Sequence, residues 1–236
     1  MSLPLVNTAK HTVKLPGCGL DVEYRPFFVK EQKILLQATE SEDPAQIASA
    51  TNDMVRACTF EKLNLEDITS TDIEYLLLKI RSKSVGETAK IQLKCSHCGH
   101  PNEYEINLDS IEPTGENADE QKVQINDSIG ICFKLPTVGR LKKFMEVSGG
   151  TAADTLLATM GASVDYVYDA DAVYPSTDQT PEEIVQFLES LKAEQFKNAQ
   201  GAFDNFPRLV HDVKFKCSKC NEETELQLGG IGDFLG

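Results

Sequence analysis

"KCSHCGHPNEYEIN" runs from Lys94 to Asn107, and "KCSKCNEETELQL" runs from Lys216 to Leu228. Each opens with Lys-Cys-Ser-x-Cys, passes through polar turn residues, and then alternates polar with apolar, the period of a strand with one buried face. A second alternating run precedes each pair, "ETAKIQLKC" before the first and "RLVHDVKFKC" before the other. Each cysteine pair is therefore expected at the tip of a β-hairpin. One such tip is a weak signal. Two in matching context, more than a hundred residues apart, predict that the two hairpins meet.

A C-x-x-C turn carries two sulfurs to one side of the chain, so two facing turns offer four thiolates. Four is the coordination number of Zn²⁺ in structural sites, with Zn–S of about 2.3 Å. The candidate ligands are Cys95, Cys98, Cys217 and Cys220, and the expected cofactor is one structural Zn²⁺. Gly99 and Asn221 follow the second cysteine of each pair, and both residue types tolerate the left-handed backbone that turns N–H groups toward the sulfurs. His97 and His100 are alternative ligands, although His100 precedes Pro101 in a turn and reads as exposed. A redox dithiol is the rival reading, but a thioredoxin-like pair opens a helix and each pair here opens a strand. Four thiolates close a site and leave no position for water, so the centre is not expected to be catalytic.

Away from the knuckles, residues 1–26 hold two short alternating pieces around Pro16-Gly17-Cys18-Gly19 and read as a hairpin or extended arm. From Phe27 the period becomes helical. Ile34, Leu35 and Ala38 are expected on one helical face, and Pro44 opens a second helix carrying Ile47, Ala50, Met54, Val55 and Cys58. "TSTDIEYLLLKIRSKSVGE" predicts a buried helix over Asp72 to Lys83, with Thr71 and Glu74 as a capping box and Gly86 as its stop. "QKVQIN" and "IGICFKL" read as further strands, and Pro136 to Arg208 as helical again. The expected fold class is α+β. It comprises an arm (1–26), a helical unit (27–86), a discontinuous zinc ribbon built from the two hairpin knuckles (87–135 and 206–236), and a helical insertion (136–205).

Composition narrows the function. The 236 residues are 41% hydrophobic and 25% charged, as in soluble globular proteins. No apolar run approaches the ~20 residues of a membrane span, and the N-terminus lacks the basic start and apolar core of a secretory signal, so a cytoplasmic protein is expected. The formal net charge of -14 repels polyanions and argues against nucleic acid as a partner. Seven cysteines in a reducing compartment point to metal ligation or buried thiols rather than disulfides. Cys18, Cys58 and Cys132 are read as structural thiols. His11 and His211 stand alone in strand patterns, Asp169 and Asp171 read as turn residues, and Gly149-Gly150 lacks the lysine of a phosphate loop. No catalytic constellation assembles, and the chain is not expected to be an enzyme.

"DIEYLLLKIRSKSVGE" (Asp72 to Glu87), followed by one CxxC, a distal CxxC and the closing "LGGIGDFLG", resembles the baseplate hub assembly family of T4-type contractile-tailed bacteriophages. "VKEQKILLQATES" (Val29 to Ser41) adds to the resemblance. The family implies a viral protein made in the host cytoplasm that helps build the tail baseplate, either incorporated in the virion at the hub or acting as an assembly factor. Its implied partners are other baseplate or hub proteins, with copies of itself in a symmetric assembly as a further option. The alternative function is a zinc-ribbon protein that binds nucleic acid or regulates transcription, which would need a basic surface at the knuckles; Glu103, Glu105, Glu222, Glu223 and Glu225 offset the local lysines. The glycine-rich tail from Leu228 is expected either to fold back on its own hairpin or to dock its apolar residues on a neighbour.

Overall fold

The computed structural model describes residues 8–41, 43–114, 120–230, and 233 and 234, and has mixed α+β architecture with seven α-helices and several small sheets among them. The chain forms two compact units. The first takes Thr71–Thr114 together with the chain up to Asn64 and from Arg208 onward; the second takes Leu65–Ser70 and Gly115–Pro207.

In the first unit, strands β1 (His11–Lys14) and β2 (Asp21–Tyr24) form the expected antiparallel hairpin around the Pro16–Cys18 turn. Helices α1 (Val29–Glu40) and α2 (Pro44–Cys58) follow. Ala50, Met54, Val55 and Cys58 are buried on α2 as their spacing requires. On α1, Ala38 is buried and Ile34 is 52% exposed. Glu31, buried and bonded to Arg25 Nη2 at 3.0 Å, shares the inward side of the helix with Ala38.

Helix α3 (Ser70–Val85) is the central element of this unit, with Tyr75, Leu76, Leu77, Leu78 and Ile80 all buried. It begins at Ser70, so Thr71 lies inside the first turn and does not cap it. Gly86, at φ +138°, ends it where no side chain fits comfortably. Two hairpins complete the unit: β3 (Thr88–Lys94) with β4 (Pro101–Asn107), and β9 (Val210–Lys216) with β10 (Glu223–Gly229). They are separate two-stranded sheets, joined through side chains rather than a shared ladder. Ile91, Leu93 and Ile106 from one and Val213 and Leu228 from the other form one core with Tyr75 and Leu78. Phe234 is fully buried in that same core, and Asp233 accepts the Gly229 N–H at 2.8 Å, so the described part of the tail folds back. Its residues 231, 232, 235 and 236 lie outside the described residues.

The second unit leaves the first between Thr114 and Arg208, which clasp each other through two backbone hydrogen bonds of 2.9 Å. Its sheet runs β5 (Gln121–Gln124), β6 (Gly130–Phe133), β7 (Val164–Tyr168), β8 (Val173–Pro175), all antiparallel. Strands β5 and β6 pair in one sheet with β7, and one expectation is corrected: the stretch expected to be helical contains two strands. "VDYVY" is rich in β-branched and aromatic residues at period two, which outweighs the helical run before it. Around this sheet stand α4 (Val138–Glu146), α5 (Ala152–Ser163), α6 (Pro181–Glu189) and α7 (Ala193–Gly201). Thr151 with Asp154, and Thr180 with Glu183, close capping boxes on α5 and α6. The stretch from Pro181 onward holds two helices, broken at Ser190 and restarted where Gln195 Oε1 accepts the Lys192 N–H at 2.9 Å. Gly161 lies under the Phe144 ring, where a larger residue would hold α5 off α4. Ile131, Phe133, Met160, Val164, Ile184 and Phe206 belong to the core.

Candidate metal centre

Each knuckle is a short hydrogen-bonded loop. Cys95 N–H donates to the His100 carbonyl at 3.0 Å and Gly99 N–H to the Cys95 carbonyl at 2.9 Å; Cys217 and Asn221 repeat both bonds, at 2.9 Å to Glu222 and 3.0 Å to Cys217. Gly99 (φ +67°) and Asn221 (φ +60°) take the left-handed conformation that their residue types permit. This turn aims backbone donors at sulfur: His97 N–H faces Cys95 Sγ and Lys219 N–H faces Cys217 Sγ, both at 3.4 Å.

The structure brings all four predicted cysteines together, with their sulfurs all within 4.8 Å of one another. Cys95 Sγ lies 3.6 Å from Cys220 Sγ, and Cys98 Sγ lies 3.7 Å from Cys217 Sγ. Those separations are far beyond a disulfide bond of about 2.05 Å. They match the edge of a tetrahedron with 2.3 Å arms, ~3.8 Å. Cys95 and Cys217 are buried, Cys220 is half-buried and Cys98 is exposed.

Two residues that sequence reasoning missed bind the knuckles to each other. Asn102 Nδ2 donates to Cys217 Sγ at 3.7 Å, while its Oδ1 accepts from Ser218 N–H and Oγ at 2.8 and 2.9 Å. Thr224 Oγ1 donates to Cys95 Sγ at 3.4 Å. Asn102 and Thr224 each stand four residues after the second cysteine of their own knuckle. Each therefore serves the opposite knuckle, and the sequence repeat is reproduced in space as a pseudo-two-fold arrangement.

The electrostatics follow from this geometry. The Thr224 hydroxyl, acting against burial and with the N–H groups of Cys98 and His97, pulls the Cys95 thiol down to about 6. The Cys220 N–H, with that of Lys219, holds Cys217 below the usual thiol range. The Glu222 N–H favours ionisation of Cys220, but burial and the neighbouring thiols Cys217, Cys98 and Cys95 push it up to about 12. Four negative sulfurs in so small a volume repel, and a divalent cation is the charge that lets all four ionise together.

The other candidates stay apart from this cluster or are otherwise engaged. His97 Nε2 lies 3.1 Å from the Glu223 carbonyl, and His11 stacks against Tyr24. Asp169 Oδ1 accepts the N–H groups of Asp171 and Ala172 in the expected turn. Gly149-Gly150 leads into the α5 cap. Burial pushes Cys18 and Cys58 up to about 11, as suits unreactive thiols. A second group, Glu120, Cys132 and Asp165, comes together in the other unit, but Lys134 already bridges Asp165 at 2.9 Å and Glu120 at 3.6 Å. Around the cysteine hairpins, Lys90 is paired with Glu103 at 2.9 Å and Lys214 with Glu225 at 2.6 Å. Among the described residues, no helix is long and apolar enough to cross a membrane.

The chain is a mixed α+β protein whose two hairpins bring four cysteines close enough together to hold a metal ion. A family model described as T4 bacteriophage base plate protein matches residues 8–236, nearly the whole chain, and the protein belongs to that family. No curated protein and no solved structure matches it.

Proposed function

We propose that the chain is a structural or assembly part of the phage baseplate at its hub, acting through protein–protein contacts, with its two hairpins pinned as a zinc ribbon by one Zn²⁺ on Cys95, Cys98, Cys217 and Cys220. The observation that carries the metal reading is the sulfur arrangement: paired separations of 3.6 and 3.7 Å around backbone and side-chain donors already aimed at sulfur. A bound zinc would supply cross-linking and charge neutralisation. Four protein ligands fill its shell, so the role is structural rather than catalytic. The family membership supports the baseplate role and neighbours of that kind. The acidic chain, with Lys90 and Lys214 each paired to a glutamate, fits protein contacts better than a nucleic-acid surface.

Two measurements test this. Metal analysis of freshly purified, unchelated protein is expected to find one zinc per chain; finding none removes the metal from the proposal. Mass spectrometry of baseplate intermediates and of finished particles is expected to find the chain in the intermediates. Its copy number in the finished particle separates a retained hub part from an assembly factor, and absence from both defeats the baseplate role.

A further inference from the structure

The second unit carries a pocket that the metal centre does not use. It has a volume of about 270 Å³ and is lined in part by Val164, Val167, Ile184 and Phe187, an apolar wall drawn from β7 and α6. Val164 and Ile184 are buried and form its inner side, together with Ser176. Ser176 is only 5% exposed, and its hydroxyl has no hydrogen-bond partner. A buried hydroxyl without a partner costs stability, which a donor group reaching it from the pocket would relieve.

The remaining lining fixes the chemistry of that group. Tyr168 and Tyr174 contribute two aromatic rings, and Tyr168 is seated over Gly130, where any Cβ would collide with it. Asp169 and Glu183 contribute two carboxylates, and no lysine or arginine is among the lining residues. Both carboxylates are held in place: Asp169 accepts the Tyr174 hydroxyl at 2.9 Å, and Glu183 accepts the Thr180 N–H at 2.8 Å. Apolar walls suit an aliphatic stem, ring faces and carboxylates suit a cation, and a buried hydroxyl suits a planar donor with several N–H groups. The adjoining sheet edge is a poorer dock, because β8 is three residues long and ends in Pro175.

We propose that this pocket receives an arginine side chain presented by a neighbouring protein subunit. The proposal deepens the reading of the chain as a part that works through protein contacts, and rests on it for the source of the arginine. A net charge of -14 makes a basic contact on the neighbour the complementary choice.

The test is an NMR titration of the full-length, isotope-labelled protein with N-acetyl-arginine N-methylamide and with its neutral isostere, the equally capped citrulline. Saturable shifts are expected on amides around Val167, Tyr168, Ser176 and Ile184. Capped arginine should bind about two- to five-fold more tightly than capped citrulline, the size of a part-exposed ion pair. Glu183→Gln retains the helix cap and should narrow that ratio, while Ser176→Ala should weaken both ligands without lowering the melting temperature. Equal binding of the two compounds, shifts elsewhere, or no saturation would overturn the proposal. Incorporation of the Glu183→Gln, Ser176→Ala double variant into baseplate intermediates at the wild-type level would also overturn it and leave the assembly role standing. Wild-type chain missing from those intermediates would instead defeat the assembly role, whatever the titration shows.

Discussion

Asn102 is buried and bonds Ser218 and Cys217 Sγ on the opposite knuckle and the His100 carbonyl on its own, so its loss removes the acceptor of the Ser218 N–H and hydroxyl and one donor from the sulfur. Asn102→Ala is expected to lower stability by about 1–3 kcal/mol and to speed zinc transfer to a chelator; unchanged transfer would mean that the sulfurs hold their places without the brace. Losing a ligand should cost more. Structural zinc contributes on the order of 10 kcal/mol coupled to folding, so Cys217→Ser should destabilise far more than Cys132→Ser in thermal melts of the two variants. The four cysteines and the left-handed Gly99 and Asn221 were legible because their chemistry is local to each turn. Asn102 and Thr224 were not, since their partners lie on the other knuckle, although their shared offset from the second cysteine was a readable signal. Glu31 was hidden for a similar reason: a carboxylate on a helix reads as solvated until Arg25 is placed beside it. Burial works to raise its carboxyl, but the Arg25 guanidinium and the Phe28 N–H together hold it below the ordinary range. A folded value below the unfolded one means that its stabilisation is complete above the unfolded pKa of about 4.3 and is lost as pH falls through the folded value. Urea melts should therefore show a steeper acid loss for wild type than for Glu31→Gln; parallel curves would remove Glu31 from the acid response.

Helix α3 is buried over most of its length, which is why its pattern was the easiest to read and why its outer boundary was not: with apolar residues on nearly every side, nothing in the period marks the first turn. Leu77→Ala is expected to cost about 2–5 kcal/mol in chemical denaturation, whereas Ile34→Ala on the exposed side of α1 should stay within about 0.5 kcal/mol. Similar losses in the two variants would mean that α1 is packed against something its exposure does not show. Strand β7 was misread because no glycine or proline separates it from α5; the switch of period at Val164 was the sole cue. In the tail, Phe234 decides between the two readings offered by its sequence. It lies in the same core as Tyr75 and Leu228, so Phe234→Ala should lower stability by about 3–5 kcal/mol; a variant that melts like the parent would reopen docking on a neighbour.

At the scale of the whole chain, a long stretch between the two knuckles was legible from their separation. The longer part of the second unit runs from Gly115 to Pro207, and the residues on either side of it, Thr114 and Arg208, are held together by mutual hydrogen bonds. Each unit has its own apolar cluster, and all four cysteine ligand candidates belong to the first. A metal bound there would tie β3 and β4 to β9 and β10, which are remote in sequence, so its removal would restore a long loop to the entropy of that unit alone. Ile131, Phe133 and Met160 in the second unit are held by apolar packing that no cysteine ligand touches. Hydrogen exchange after treatment with a strong chelator is therefore expected to show faster exchange throughout the four hairpin strands, with protection at β6 and α5 kept. Equal loss in β6 would show that the cysteine centre governs the folding of the entire chain. No loss in the hairpins, in protein first shown to contain zinc, would show that apolar packing around Ile91 and Val213 suffices to hold them together.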